Sequence, residues 1–272
     1  MTILRTSLFA AALCTVALGG NAWAQTAATD ASTFKPMVGQ AGKDVVWVPT
    51  AQTLVDRILD MAELKPEDRL VDLGSGDGRT VITAAKRGAT ARGIEFNPDM
   101  VALSKRAAAA EGVTARATFE QADIFQSDFS NATVVTLFLL PDLNVRLRPT
   151  LLDMKPGTRV VSNSFMMGDW DPDDSSQVKD NCTSYCNAYK WIVPAKVDGT
   201  WKLDGKDLVL KQTYQKFTGT LAGSTTPIAE GKLAGTQVAF SVGSDNYTGE
   251  VNGTTMTGTV NGKPWTATRT SK

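Results

Sequence analysis

The stretch VDLGSGDGR, at residues 71–79, constrains the fold more than any other part of the chain. It ends an apolar run with an acid and then places Gly74, Gly76 and Gly78 at every second position. Because glycine reaches backbone angles that other residues avoid, this spacing predicts a sharp turn between a buried strand and a helix. Such a turn follows the first strand of doubly wound α/β sheets, at the edge where these sheets bind ligands.

Strand and helix patterns alternate on both sides of the turn. Five segments predict strands: RLVDL, TARGIE, ATFEQAD, ATVVTLFLL and TRVVSNSF. Four segments predict helices: VPTAQTLVDRILDMAEL with Thr50 as its cap, RTVITAAKRG, a helix opened by Asn97 and Pro98, and PDLNVRLRPTLLDM. This alternation predicts a Rossmann-like, doubly wound, mostly parallel sheet. AYKWIVPA and DLVLKQTYQKFTGTL have no helix between them, which fits an antiparallel hairpin at the sheet edge.

The composition changes at residue 217. The last 56 residues contain 13 Thr and 9 Gly, with recurring short units such as GTLAG and GTVNG. Asn252-Gly253 and Asn261-Gly262 are strong hairpin signals, so residues 217–272 are predicted to form an antiparallel β meander with possible partner contacts. The α/β domain is accordingly assigned to residues 46–216, and the polar, aperiodic residues 25–45 to a flexible lead-in.

Residues 1–24 have the pattern of a secretory signal peptide. Arg5 precedes an apolar run shorter than the roughly 20 residues of a membrane span, and Ala22-Trp23-Ala24 fits a cleavage site. We therefore expect an exported protein, located in the periplasm and without a stable membrane span. Its remaining cysteines, Cys182 and Cys186, are expected to form a disulfide in an oxidising compartment, two unpaired thiols being the alternative.

Composition excludes several classes of function. The chain has no histidine, which removes histidine as a catalytic base or a metal ligand. Its formal charges balance at 28 basic against 28 acidic residues, so no net positive charge points to nucleic acid. We expect neither a metal site nor a nucleic-acid partner.

The glycine spacing also discriminates between ligands. A dinucleotide-binding turn needs a third glycine where this chain has Arg79, and a P-loop needs Gly-Lys-Ser/Thr. Asp72 and Asp77 would repel a pyrophosphate, so a nicotinamide oxidoreductase is a remote alternative. D-x-G-x-G-x-G is instead the first motif of class I S-adenosylmethionine methyltransferases, whose cofactor is a cation without phosphate.

Acids and an aromatic residue follow the predicted strands where that cofactor would lie. Glu95 is placed to accept the ribose hydroxyls, Phe96 to cover the adenine, and Asp123 to accept from the adenine amino group. The predicted cofactor-binding residues are Thr50, Asp72, Gly74, Ser75, Gly76, Gly78, Glu95, Phe96, Asp123 and Ile124.

Three stretches together carry a family resemblance over roughly residues 46–171. VPT, VDLGSGDGRTVITAAKRGATARGIEFNPDM and the stretch from ATVVTLFLL to TRVVSNSF are similar to the small seven-β-strand protein-lysine methyltransferases. Mitochondrial members of that family modify the adenine nucleotide translocase and the c-ring protein of the ATP synthase. The resemblance implies the strand order 3-2-1-4-5-7-6 with the seventh strand antiparallel, and methyl transfer to a lysine or another amine. The signal peptide, the CTSYC insert and the Thr/Gly-rich tail depart from the mitochondrial members.

The fourth strand of this fold ends at the cofactor, so the acceptor is expected to arrive at LPDLN, residues 140–144. Asp142 and Asn144 are the candidates for orienting the acceptor amine, with helix capping as the alternative for both. Asp169 and Trp170 are further candidates for the wall of the substrate entrance, with an ordinary loop as the alternative, and Tyr185 follows them as a weaker candidate. A competing hypothesis remains: an exported, non-catalytic protein that keeps the nucleoside pocket and binds a ligand or a partner.

Overall fold

The computed structural model describes residues 34–271, so the predicted signal peptide lies outside the described residues. The described part contains a seven-stranded sheet with helices on both faces, followed by a closed antiparallel barrel. Within this part of the chain, no helix is both long and apolar enough to cross a membrane.

The sheet has the strand order that the resemblance implied, β3-β2-β1-β4-β5-β7-β6. Strand β7 runs antiparallel to both of its neighbours, and the remaining strand pairs are parallel. The strands are β1 Arg69–Leu73, β2 Thr90–Glu95, β3 Ala117–Gln121, β4 Val134–Leu137, β5 Arg159–Asn163, β6 Asp174–Gln177 and β7 Asn187–Ile192. The helices are α1 Gln52–Met61, α2 Arg79–Lys86, α3 Pro98–Ala110 and α4 Pro141–Leu152.

Two apolar layers sandwich this sheet because successive residues of a strand point to opposite faces. Leu70 of β1 joins the cluster formed with α1, α2 and α3, whereas the adjacent Val71 joins the cluster formed with α4. Strand β4 is buried along its whole length, as its continuous apolar sequence predicted. The Rossmann-like prediction is confirmed.

The barrel closes because its first and last strands pair with each other, and β9 pairs with β10. Its strands are β8 Gly199–Leu203, β9 Lys206–Thr213, β10 Lys216–Leu221, β11 Ile228–Ala234, β12 Gln237–Val242, β13 Asp245–Asn252, β14 Thr255–Val260 and β15 Lys263–Ser271. Trp201, Phe240, Tyr247 and Trp265 fill the interior together with aliphatic side chains, and threonines alternate to the outside. The interior is therefore a packed core.

The predicted edge hairpin is wrong. AYKWI forms β7, which pairs between β5 and the short polar strand β6, whereas DLVLKQT and KFTGTL form β9 and β10 of the barrel. The barrel begins at Gly199, so residues 199–216 pair with the C-terminal module. The sequence pattern predicted that this module starts at residue 217. An alternating pattern identifies a strand but not the strand it pairs with.

The segment before α1 also differs from its prediction. Residues 34–45 lack periodicity, yet Gly39 N donates to the Trp47 carbonyl and Trp47 N to the Gln40 carbonyl, which closes a loop. Helix α1 is preceded by Ala51 without a side-chain cap, so the prediction of Thr50 as its cap is wrong. The Thr50 hydroxyl instead accepts a hydrogen bond from Asn163 Nδ2 at 3.1 Å.

Trp170 joins the sheet to the barrel. Its side chain is fully buried, stacks on Tyr214, and donates from Nε1 to Gln215 Oε1 at 2.9 Å. Its carbonyl accepts from Trp191 Nε1 of β7 at 2.8 Å. This joint fixes the end of the segment that follows β5, and residue 165 of that segment borders the cavity described next.

Candidate active site

A cavity of about 530 Å³ opens at the carboxyl ends of the parallel strands. This volume lies within the range of pockets that bind small molecules and cofactors. Its lining comes from the loop before α1, the glycine turn, and the residues that follow β2, β3, β4 and β5: residues 40–50, Asp72, 74–77, Glu95, Phe96, Asn97, Ala122, Asp123, Ile124, 137–140, Leu143, Asn163, Phe165 and Tyr185, among others.

The three glycines of the turn have two different roles. All have positive φ: +80° at Gly74, +54° at Gly76 and +81° at Gly78. Gly74 and Gly76 line the cavity, as predicted for cofactor-binding residues. Gly78 does not line it, because it precedes α2 and faces the interior, where a Cβ would lie 2.7 Å from the Phe119 ring. The structure therefore assigns Gly78 to packing.

Glu95 is held at the end of β2 with its carboxylate in the cavity lining. Its Oε2 accepts from Gly76 N and its Oε1 from Asn97 N, both at 2.9 Å. Each carboxylate oxygen accepts more than one hydrogen bond, so the group can still receive two ribose hydroxyls. Phe96 follows it and is 48% exposed, which leaves its ring available to an adenine.

Asp123 lies at the same rim and is already engaged by a lysine. Its Oδ1 accepts from Phe125 N at 2.9 Å, and its Oδ2 accepts from Lys43 Nζ at 2.6 Å. The hydrogen bond from Lys43, aided by the one from Phe125 N, lowers the pKa of this carboxyl below its usual value. Lys43 Nζ also lies 5.1 Å from the centroid of the Phe96 ring. The ammonium thus occupies the position predicted for the adenine amino group.

Asp72 is the buried acid beneath the turn. Thr136 Oγ1 donates to its Oδ1 at 2.7 Å. Burial raises the pKa of Asp72 to about 7 against the hydrogen bond from Thr136, and the nearby carboxylates of Glu95 and Asp77 add to the increase. A cation bound in the cavity would favour its ionised form.

The cationic side chains in the described lining are both paired with carboxylates. Lys43 bonds to Asp123, and Arg79 bonds to Asp77 while its Nη1 donates to the Thr50 carbonyl at 2.6 Å. The cavity therefore presents carboxylates to a ligand and lacks the free cations that a pyrophosphate would require.

Two buried polar atoms of the lining accept or donate no hydrogen bond within the described chain. They are Ser75 Oγ and Asn163 Oδ1. The turn also approaches the opposite wall closely, since a Cβ on Gly74 would lie 3.3 Å from Leu139. Unpaired polar atoms, clustered carboxylates and an accessible backbone fit a zwitterionic, cationic nucleoside such as S-adenosylmethionine.

The predicted catalytic pair lies outside the cavity lining. Asp142 is exposed in the first turn of α4, while Asn144 is fully buried and donates from Nδ2 to the carbonyls of Phe165 and Met166 at 3.3 and 3.1 Å. Helix α4 begins directly after Leu140 and carries both side chains away from the strand end. Asn144 instead fixes the loop after β5.

Other residues occupy the end of the cavity where an acceptor would enter. Phe138 and Leu140 follow β4, Asn163 ends β5, and Phe165 and Tyr185 lie beside them. Sequence reasoning missed Asn163, whose only signal is a polar residue at a strand end. Asp169 is exposed and paired with Arg148, and Trp170 is buried in the joint, so neither lines the entrance.

Comparison with known proteins then identifies the family. Residues 72–174 match the model of the ANTKMT methyltransferase domain. A protein-lysine N-methyltransferase of Saccharolobus islandicus is 42% identical over 152 residues, covering 55% of this chain and 94% of the relative. The chain belongs to the ANTKMT methyltransferase family. It is an S-adenosylmethionine-dependent methyltransferase.

Two further relatives extend this comparison. The adenine nucleotide translocase lysine N-methyltransferase of Mus musculus is 32% identical over 130 residues, 47% of this methyltransferase, which spans about half (56%) of the mouse protein. A structure of an RNA methyltransferase from Salinibacter ruber with S-adenosyl-L-homocysteine is 44% identical, with a TM-score of 0.52 and coverage of 55% and 96%. The family model ends before the barrel begins.

When bound, the cofactor supplies an electrophilic methyl group on a sulfonium. The turn residues Gly74, Ser75 and Gly76 would lie against it, with Glu95 at its ribose and Phe96 and Ile124 at its adenine. Asp72 would oppose its positive charge from below. The protein's contribution to the reaction is then mainly to align the acceptor with the methyl group and to exclude water.

Proposed function

We propose that this methyltransferase transfers a methyl group from S-adenosylmethionine to the ε-amine of a lysine in a protein. The observation that carries the proposal is the acceptor end of the cavity, which combines apolar and aromatic walls with the amide oxygen of Asn163. The names of two relatives support it, since both are lysine methyltransferases that act on proteins.

The walls address the main difficulty of a lysine substrate, its proton. A lysine amine has a pKa of about 10.4 in water and is almost entirely protonated at neutral pH. Desolvation between apolar side chains lowers that pKa, and a neutral acceptor such as Asn163 Oδ1 can align the remaining N–H bonds. The lone pair then forms the N–C bond while the C–S bond breaks, and the positive charge passes to nitrogen.

An RNA substrate fits the charges of the cavity less well. Binding of RNA depends on several phosphate contacts from lysine and arginine. In the part of the chain that the structure describes, the two cationic side chains lining the cavity are committed to Asp123 and Asp77. We therefore infer a protein substrate although one related structure is named an RNA methyltransferase.

The decisive experiment supplies both kinds of substrate to the purified full chain. Cell extract is incubated with the enzyme and S-adenosylmethionine carrying a labelled methyl group, and the labelled products are then divided into protease-treated and ribonuclease-treated portions. We expect label that survives ribonuclease, is lost with protease, and appears as methyl-lysine in hydrolysed protein by mass spectrometry. Label in RNA, or in a residue other than lysine, would refute the proposal. Gly76→Val, designed to fill the cofactor site, is the inactive control.

We further propose that the protein acts in the periplasm. The bond between Cys182 and Cys186 supports this location, because disulfides persist in oxidising compartments. Fractionation of cells that produce the full chain tests the proposal. A shortened, disulfide-bonded form in the periplasmic fraction is expected, and an uncut, reduced form in the cytoplasm would contradict it.

A further inference from the structure

Three aromatic rings from separate segments meet at the acceptor end of the cavity. Phe138 follows β4, Phe165 follows β5, and Tyr185 lies in the loop before β7. Their centroids are separated by 6.0 Å for Phe138–Phe165, 5.2 Å for Phe138–Tyr185 and 5.8 Å for Phe165–Tyr185. All three line the cavity.

Tyr185 is not a core residue. It is 45% exposed, whereas the two phenylalanines are half-buried. Its ring packs against Phe138 and Phe165, and the part that remains exposed is open to a ligand in the cavity. Aromatic side chains are common in the walls of ligand pockets, so Tyr185 is placed to contact a ligand.

The backbone around Tyr185 is held by a covalent bridge. Cys182 and Cys186 enclose the residue in a short disulfide loop, and Tyr185 has a positive φ of +56°, which non-glycine residues rarely adopt. The loop is anchored on both sides, where Thr53 Oγ1 donates to the Asn181 carbonyl and Val178 N to the Cys186 carbonyl. The disulfide thus keeps the tyrosine ring at the cavity mouth.

We infer that Phe138, Phe165 and Tyr185 form an aromatic recognition site for the acceptor nitrogen, which is neutral when it attacks and cationic once it is methylated, with Tyr185 as a specificity-determining residue positioned by the disulfide. The inference rests on the proposed function and adds to it the means by which the substrate is recognised. Aromatic faces attract cations, and the attraction strengthens when water is excluded.

The same rings suit the reaction as well as binding. As the C–S bond breaks and the N–C bond forms, positive charge leaves the sulfur and develops on the attacking nitrogen. Rings that face the nitrogen stabilise this charge in the transition state more than in the neutral amine. The extra proton of the methylated ammonium is then released to water, so each further methyl group can be accepted at the same place.

The test measures cation preference in the full chain loaded with S-adenosylhomocysteine. Two probes are titrated by calorimetry and proton NMR: Nα-acetyl-ε-trimethyllysine amide and its neutral isostere, in which carbon replaces the quaternary nitrogen. We expect the cationic probe to bind about 3- to 30-fold more tightly than the neutral one. Its N-methyl signals should also move upfield, because they lie over aromatic rings.

Variants separate the tyrosine ring from the rest of the site. Tyr185→Leu should reduce the cation preference at least about threefold, and Tyr185→Phe should retain it. The double variant Cys182→Ser/Cys186→Ser should lose preference in the same direction as Tyr185→Leu. Val209→Ala, which truncates an exposed side chain of the barrel, is the matched control with wild-type preference.

Affinity for S-adenosylhomocysteine should be unchanged in every variant, which shows that each is folded with its cofactor site intact. Equal binding of the two probes, no measurable binding of either, or an unchanged preference in Tyr185→Leu would overturn the inference. Failure of the proposed function is a different result: the cation preference would persist while no methyl-lysine formed in protein.

Discussion

The raised pKa of Asp72 predicts that cofactor affinity depends on pH near neutrality. Burial brings this pKa to about 7, so the carboxyl is half protonated in the unliganded protein at that pH. A cofactor with a sulfonium and an α-ammonium group favours the ionised form and must expel the proton as it binds. Affinity should therefore increase as the pH rises through the pKa and level off above it.

The size of the effect follows from the pKa alone. About nine-tenths of the Asp72 carboxyls are protonated at about pH 6, and about one-tenth at about pH 8. The dissociation constant for S-adenosylmethionine should therefore be about tenfold larger at about pH 6 than at about pH 8, a difference in binding free energy of about 1.4 kcal/mol. Binding should release about 0.9 proton at the lower pH and about 0.1 at the higher.

Isothermal titration in two buffers of different ionisation enthalpy measures both quantities, and Asp72→Asn supplies the comparison. The variant should show a dissociation constant that varies much less with pH, and its proton release at about pH 6 should be smaller by most of one proton. The reasoning fails if the wild type and Asp72→Asn have the same pH profile and the same proton release.

The unliganded protein should show the opposite trend in stability. Because the folded-state pKa of Asp72 lies above the ordinary value of 3.8, the folded protein binds this proton more tightly than the unfolded chain does. The contribution to the free energy of unfolding is thus largest at low pH and falls by about 3 kcal/mol between about pH 5 and pH 8. The contribution is measured as the difference in the free energy of unfolding between wild type and Asp72→Asn, determined with denaturant at each pH. The prediction is contradicted if the wild type does not lose stability relative to Asp72→Asn as the pH rises.

Three further predictions concern single side chains. Gly76→Val should weaken cofactor binding at least about 100-fold by titration, because a Cβ at this position would lie 2.8 Å from the Trp47 side chain. Gly112→Val, also at positive φ but with open space around it, should bind the cofactor normally. Equal loss of binding in both variants would mean that backbone strain alone is responsible. Lys43→Met should tighten cofactor binding about 3- to 10-fold, because it frees the Asp123 carboxylate that is predicted to accept from the adenine amino group. Lys105→Met is the unaffected control, and weaker binding in Lys43→Met would show that the lysine assists the cofactor instead. Trp170→Ala should lower the free energy of unfolding by about 3–5 kcal/mol in denaturant, since it empties the joint between sheet and barrel, and a loss below about 1 kcal/mol would refute that role.

Much of the α/β domain could be predicted because its signals are local. A glycine turn, an apolar run and an acid at a strand end each constrain their own few residues, and in this chain they agree with one another. Asn97 caps α3 and Pro98 opens it, as the sequence indicated. The same agreement placed Glu95 and Asp123 at one edge of the sheet, since parallel strands bring their carboxyl ends together.

The errors occurred where a residue's partner is distant in sequence. Asn144 follows β4 in sequence and Asn163 ends β5, yet only Asn163 lines the cavity, because the start of α4 turns Asn144 beneath the loop after β5. Strands β9 and β10 were correctly predicted as strands and β8 was missed, and the pairing of all three with the C-terminal module depends on closure of the barrel. Lys43 lies 80 residues from Asp123 and has no local signal that predicts their contact.

The sequence by itself determined the order of elements from α1 to β5, the turn that excludes a pyrophosphate, and the acids suited to a cationic nucleoside, because these depend on backbone angles and residue types within short windows. Only the tertiary structure decided which polar groups face the cavity, how far burial shifts the pKa of Asp72, and that a disulfide loop brings Tyr185 to two phenylalanines. Those properties depend on distances between segments and on the exclusion of water, which arise only when the chain has packed.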